Sequence, residues 1–147
     1  MKTYLEATAE SGQLFYRNLL SKGEFIMLNL LRYNTTADYK AYPHLQPAQP
    51  ITGEAAYQLY MNAVMSELKN IESQVLFYGE TNYFLIGPQE EKWDAMLLVK
   101  HKSVARFMEF AQTSVYLKNR GHKVAALKDF RLLPSKEKEG LLSFKDR

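Results

Sequence analysis

Cysteine is absent from the 147 residues. That absence excludes disulfide frameworks, thiolate zinc sites, iron–sulfur clusters and cysteine nucleophiles together, and it fits a reducing compartment. Glycine is scarce, at seven residues. None of them falls in the G-x-G-x-x-G or G-x-x-x-x-G-K-[ST] spacing by which backbone amides cradle phosphate, so no nucleotide cofactor is expected. A G-x-S-x-G elbow is also lacking, which disfavours the usual serine hydrolase route. The three histidines form no H-x-x-x-H or H-E-x-x-H pair, so no metal is expected. Long apolar runs are missing too. The longest, Phe25 to Leu31, is broken by Asn29 and falls far short of the ~20 residues of a membrane-spanning helix. Glu6 and Glu10 interrupt the stretch in which a signal peptide would need continuous apolar residues. The reading is a cytoplasmic protein with no membrane partner.

The net charge is +3, and its distribution matters more than its size. Residues 118–147 carry +5, whereas residues 1–117 carry −2. The stretch Lys136-Glu-Lys-Glu139 alternates in sign, as a solvated tail does. No block of consecutive basic residues and no basic–aromatic RNA-binding signature occurs. Nucleic acid is therefore not an expected partner, and weak binding through the basic C-terminal end ranks as a third reading.

What is present is one domain's worth of ordinary globular composition, 46% hydrophobic and 24% charged. Thr8 precedes a helical stripe of Leu14, Phe15, Leu19 and Leu20 that Gly23 ends; this predicts a helix over 9–21. Phe25–Tyr33 reads as a strand apolar on both faces, as in the centre of a covered sheet. Pro43, Pro47 and Pro50 forbid regular structure in a long loop over 35–52. Thr52 caps a helix over 53–72. Gln74–Glu80 is a strand that Tyr83–Ile86 continues after a kink, and Trp93–Val99 is the next. Ser103 and Ser114 cap two short helices, the second with Leu117, Val124 and Leu127 for burial. Asp129–Leu133 is a last strand, stopped by Pro134. The order is β-α-β-β-α-β: a four-stranded antiparallel sheet with helices on one face, of class α+β. Residues 1–24 form a helical arm, 25–134 the core and 135–147 a tail. Both Phe25/Met27/Leu31 and Ile26/Leu28/Leu30 are apolar sets. Helices cover one, and a second copy of the chain packed sheet to sheet would cover the other.

Met27-Leu-Asn-Leu-Leu-Arg-Tyr33, Ala37-Asp-Tyr39, Thr52-Gly-Glu-Ala-Ala-Tyr57 with Tyr60, Leu85-Ile-Gly-Pro88, Trp93-Asp94 before Leu97-Leu-Val99, and His122 with Ala125-Ala-Leu127 and Asp129 resemble, in order, the DUF1330 family. That family belongs to the dimeric α/β-barrel, ferredoxin-like superfamily, and the match runs over residues 4–134. The resemblance implies a homodimer through the sheet face and a pocket between sheet and helices, with no assigned reaction. Wider relatives include cofactor-free monooxygenases and proteins without demonstrated catalysis. Lys123 stands where an arginine commonly follows the histidine; lysine is a point charge and not a planar fork.

Asn29 is the odd residue of an apolar strand, either a satisfied amide or a pocket group that orients an oxygen. Arg32, three residues on, points to the other face, for an ion pair with Asp94 or Glu80 or for an anionic ligand. His122 is the general base best matched to neutral pH, and Asp94 is available to orient it or to cap a turn. Tyr57, Tyr60, Tyr78 and Trp93 are candidate lining residues. These residues support a small-molecule-binding homodimer that works without a cofactor. In its enzymatic form His122 or Asp94 removes a proton while Asn29 and a tyrosine hydroxyl stabilise the oxyanion, in proton-transfer or oxygenation chemistry. The alternative is a non-catalytic binding or regulatory dimer.

Overall fold

The computed structural model describes residues 2–138. Its elements are α1 (Ala9–Leu19), β1 (Phe25–Tyr33), α2 (Gly53–Asn70), β2 (Gln74–Glu80), β3 (Ala95–His101), α3 (Val104–Phe110), α4 (Ser114–Ala126) and β4 (Leu127–Ser135). The sheet order is β2-β3-β1-β4 and every pair is antiparallel. This is the ferredoxin-like β-α-β-β-α-β arrangement expected, with α1 added in front and the second helix split into α3 and α4.

Capping side chains set most helix starts. Thr8 and Ser11 exchange side-chain-to-backbone bonds of 3.0 Å at the head of α1, and Thr52 accepts from Ala55 N–H at 3.0 Å on α2. Ser103 does the same for α3. On α4 the cap is Thr113, not Ser114, which is the first helical residue. Between α1 and β1 the chain reverses at Gly23, whose φ of 78° is open to glycine at little cost.

Side chains of β1 alternate in burial. Phe25, Met27, Asn29 and Leu31 face the helices, and Ile26, Leu28, Leu30 and Arg32 face away, half-buried. Leu31 joins Tyr57, Tyr60 and Val64 of α2 and Ala125 and Ala126 of α4 in the main core. A smaller cluster of Phe25, Met27 and Val104 holds Phe15 and Leu19 of α1. On the far face, Leu28 lies between Leu98 and Leu133, and Leu30 is opposite Met96.

Three further expectations are corrected. Tyr83–Ile86 is no strand: beyond the Glu80–Ala95 pair a single bridge joins Tyr83 to Lys92, and Leu85 and Ile86 stand free. The last strand runs through Pro134 to Ser135; β4 is an edge strand, where a residue without an N–H breaks no ladder on its outer side. Of the residues expected to be buried in the second short helix, Leu127 is buried but begins β4, Val124 is half-buried and Leu117 is exposed; the buried residues of α4 are Gly121, Ala125 and Ala126. The expected tail lies outside the described residues beyond 138. Among the described residues no helix is long and apolar enough to cross a membrane.

Candidate functional site

Two concavities hold six of the eight expected residues, all but His122 and Trp93. The larger, about 830 Å³, is a polar cleft at the C-terminal end of β1, and it collects Arg32, Tyr78 and Asp94. Of the charged residues that line it, Lys92 and Asp94 are the pair engaged with each other. Asp94 accepts from the Tyr33 backbone N–H at 2.8 Å and pairs with Lys92 at 3.5 Å. The Tyr33 and Tyr78 hydroxyls bond each other at 2.8 Å, and burial, then this bond, push the Tyr33 phenol well above its usual range. Arg32, expected to pair with Asp94 or Glu80, makes no ion pair within 4 Å among the described residues. Its surroundings are solvated, where single charge contacts are weak.

The second concavity, about 390 Å³, lies between sheet and helices. Asn29, Leu97 and His101 form its floor, Tyr57, Tyr60 and Val64 of α2 and Tyr116 and Lys123 of α4 its walls, and Leu5–Ala7 of the arm its rim. Asn29 is buried at 8% exposure. Its Nδ2 donates to the carbonyls of Met27 and Leu97, both at 3.2 Å. Two acceptors around one nitrogen fix the amide's orientation, so Oδ1 is the atom left over, and it has no partner among the described residues. Asn29 therefore accepts rather than donates, the opposite of the expected oxyanion role. The hydroxyls of Tyr57 and Tyr60 likewise make no hydrogen bond among the described residues, and burial raises both phenols. His101 binds Ser73 Oγ through Nδ1 at 2.7 Å, and burial pushes it down to about 4, so it is neutral.

Lys123, noted in the sequence only for standing where an arginine commonly follows the histidine, lines this chamber. The residue is half-buried, and its ammonium lies 4.3 Å from the Phe130 ring centroid and 5.8 Å from that of Tyr60. Desolvation pushes it down to about 8, against the nearby Glu6 carboxylate, which raises it. The signal was there: Tyr116, Arg120 and Lys123 are spaced four and three apart, on one face of α4.

His122, one position along, points elsewhere. Its Nδ1 meets the Tyr39 hydroxyl at 2.7 Å, under the proline-rich loop. Tyr42 and Leu45 of that loop sit on Gly121, where a Cβ would strike both. The loop thus packs on its own α4 and lines no part of the inner pocket. Trp93 lines neither concavity; it is buried, and Arg131 is stacked between its ring and that of Tyr4, at 5.0 and 4.8 Å. The expected trio of His122, Asp94 and Asn29 is thereby dispersed, and Asn29 alone lines the inner pocket, with Tyr57 and Tyr60. Among the described residues no group of three or more His, Asp or Glu side chains could hold a metal.

The chain aligns over 95% of its length with 99% of the methylated RPA0582 protein, at 30% identity and a TM-score of 0.82. It belongs to the family of RPA0582. A second crystal structure, of the RPA0582 protein of unknown function from Rhodopseudomonas palustris, aligns over 95% and 100% of the two chains at 29% identity and a TM-score of 0.82. A dimeric protein of unknown function with a ferredoxin-like fold from Bacteroides fragilis aligns over 78% of this chain and 96% of its own, with 8% identity and a TM-score of 0.41, too distant to bear on this one. No protein-family model matches the chain, and no curated protein matches it.

Proposed function

We propose that the protein binds a small, largely apolar organic molecule in the inner pocket and acts as a homodimer, without catalysing a reaction. The observation that carries this reading is an apolar chamber of about 390 Å³ into which Asn29 brings an unengaged acceptor. That volume falls within the usual range of small-molecule sites, as does the pattern of a few polar groups in an apolar wall. The DUF1330-like motifs support the same reading, since Asn29, Tyr57 and Tyr60 all lie within them. The proton-transfer chemistry expected from the sequence has less support, because its bases, His122 and Asp94, lie outside the chamber and Asn29 presents an oxygen.

Dimerisation is supported by the far face of the sheet, apolar along Ile26, Leu28 and Leu30, and by Leu85 and Ile86, which are 98% and 91% exposed. The test is a ligand-observed NMR screen of small organic molecules against the protein and against Met61→Trp. Met61 lines the pocket from α2 and is only half-buried, so an indole there fills the chamber without entering the core. Hits that bind the protein and lose at least tenfold in Met61→Trp are expected. A screen without hits, or hits that the variant binds equally well, would overturn the reading.

A further inference from the structure

The cationic end of the inner pocket is unbalanced. Arg120 and Lys123 lie one turn apart on α4; Arg120 is exposed at the rim and the Lys123 ammonium lies against two aromatic rings. Neither has a carboxylate within 4 Å among the described residues. An ammonium in an apolar chamber loses hydration, and ring faces replace only part of it. Among the described residues the carboxylate that acts on Lys123 is Glu6, which shares the pocket lining with it and whose charge also reaches Tyr116.

Glu6 sits on a segment fastened only at its ends. Upstream, the Tyr4 backbone N–H donates to the fully buried Asp129 at 2.8 Å, and the Tyr4 ring carries the Arg131 guanidinium. Downstream, Thr8 and Ser11 close the capping box of α1, a helix with no fully buried residue. Between these anchors Leu5, Glu6 and Ala7 make no backbone hydrogen bond to the body among the described residues. They are exposed, yet they form the wall between the inner pocket and a second apolar groove of about 630 Å³ under α1.

We propose that the ligand is a carboxylic acid with an apolar body, whose carboxylate binds Lys123 and Arg120 in competition with Glu6, so that the arm is a lid carrying its own stand-in for the ligand's charge. The inference rests on the reading of the inner pocket as a binding site. A desolvated charge-assisted bond to Lys123, with the Arg120 guanidinium adding a solvated contact at the rim, supplies the preference for an acid over a neutral analogue. The groove under α1 gives a longer body somewhere to continue when residues 5–7 move aside.

The experiment is calorimetry with a matched pair, 3-phenylpropionate and 3-phenylpropanol, on the full chain and on Lys123→Met, Lys123→Arg and Glu6→Gln. The acid is expected to bind at least tenfold tighter than the alcohol. Lys123→Met removes that difference while the alcohol still binds, and Lys123→Arg keeps most of it. Glu6→Gln, a change on an exposed segment, raises affinity for the acid several-fold and leaves the alcohol unchanged. Equal binding of acid and alcohol, or a preference that survives Lys123→Met, overturns the carboxylate inference and leaves the pocket standing. No binding of either compound, by a protein whose Met61→Trp form also behaves like the parent in the screen, overturns both.

Discussion

His101 is built into the fold as a neutral side chain. It is 4% exposed, with ring centroids of Phe25 and Phe107 at 5.3 and 4.8 Å. Among the described residues its one hydrogen-bond partner is the Ser73 hydroxyl. A proton on it would have to sit in that aromatic box, which is why its pKa falls from 6.5 to about 4. The unfolded chain takes up the proton below about 6.5 and the folded chain only below about 4, so stability is full at neutral pH and falls as pH drops through that window. The loss approaches about 3 kcal/mol, and His122, lowered by burial as well, acts in the same direction. Urea unfolding at pH 7.5 and pH 4.5 checks this: His101→Gln should lose most of the difference, and a parent protein equally stable at both would refute it. The candidate site was only partly legible at this scale. Asn29 stood out as an amide in an apolar strand, and it does line the pocket. His122 stood out by chemistry alone, and chemistry does not say which way a helical residue faces. Successive residues on a helix are about 100° apart, so His122 and Lys123 cannot both face the sheet, and the Tyr116–Arg120–Lys123 spacing decides for the lysine.

Between elements, the tightest joint is where β1 hands over to α2. Gly53 N–H donates to Asn34 O at 3.0 Å, Asn34 N–H to Ala126 O at 2.8 Å, and Asn34 Nδ2 to Ala125 O at 3.0 Å. A Cβ at position 53 would collide with the carbonyl oxygens of Asn34 and Ala126. Both are backbone atoms and cannot swing aside. Gly53→Ala should therefore cost about 1–3 kcal/mol, although alanine is the better helix former; equilibrium denaturation measures it, and a neutral or stabilising result would refute the close-approach argument. Elements with strong local chemistry were legible: Thr8, Thr52 and Ser103 start their helices, and Phe25–Tyr33 forms the strand its two apolar faces foretell. Tyr83–Ile86 misled because its residues are strand formers, and composition carries no information about whether a pairing partner extends that far. Here β3 begins at Ala95, and two residues with every preference for a sheet are left beyond its end. Pro134 misled in the other direction, since whether proline ends a strand depends on which side the neighbour lies.

For the molecule as a whole, the unsatisfied surface and the ferredoxin-like sheet have to be considered together. A sheet with helices on one side leaves the other to water or to a partner. Leu28 there lies between Leu98 and Leu133 and Leu30 beside Met96, while Lys100 opposite Ile26 and Arg131 opposite Leu30 bound this apolar strip. Leu85 and Ile86 project at the turn before β3, at 98% and 91% exposure. If both surfaces serve self-association, replacing the two tip residues should weaken the dimer and leave the subunit intact. In Leu85→Ser/Ile86→Ser no intrachain packing is lost, so unfolding of the separated subunit should shift by less than about 0.5 kcal/mol. Sedimentation equilibrium over a dilution series should give twice the 17.0 kDa chain mass for the parent and a dissociation constant at least tenfold weaker for the double variant. The two measurements divide the explanations. A variant that dissociates without losing subunit stability places the tip in the interface. A variant that destabilises the subunit assigns the tip to the fold, against its exposure. A parent that stays monomeric at every concentration removes the dimer from the functional reading and leaves the inner pocket to be judged on its ligands alone.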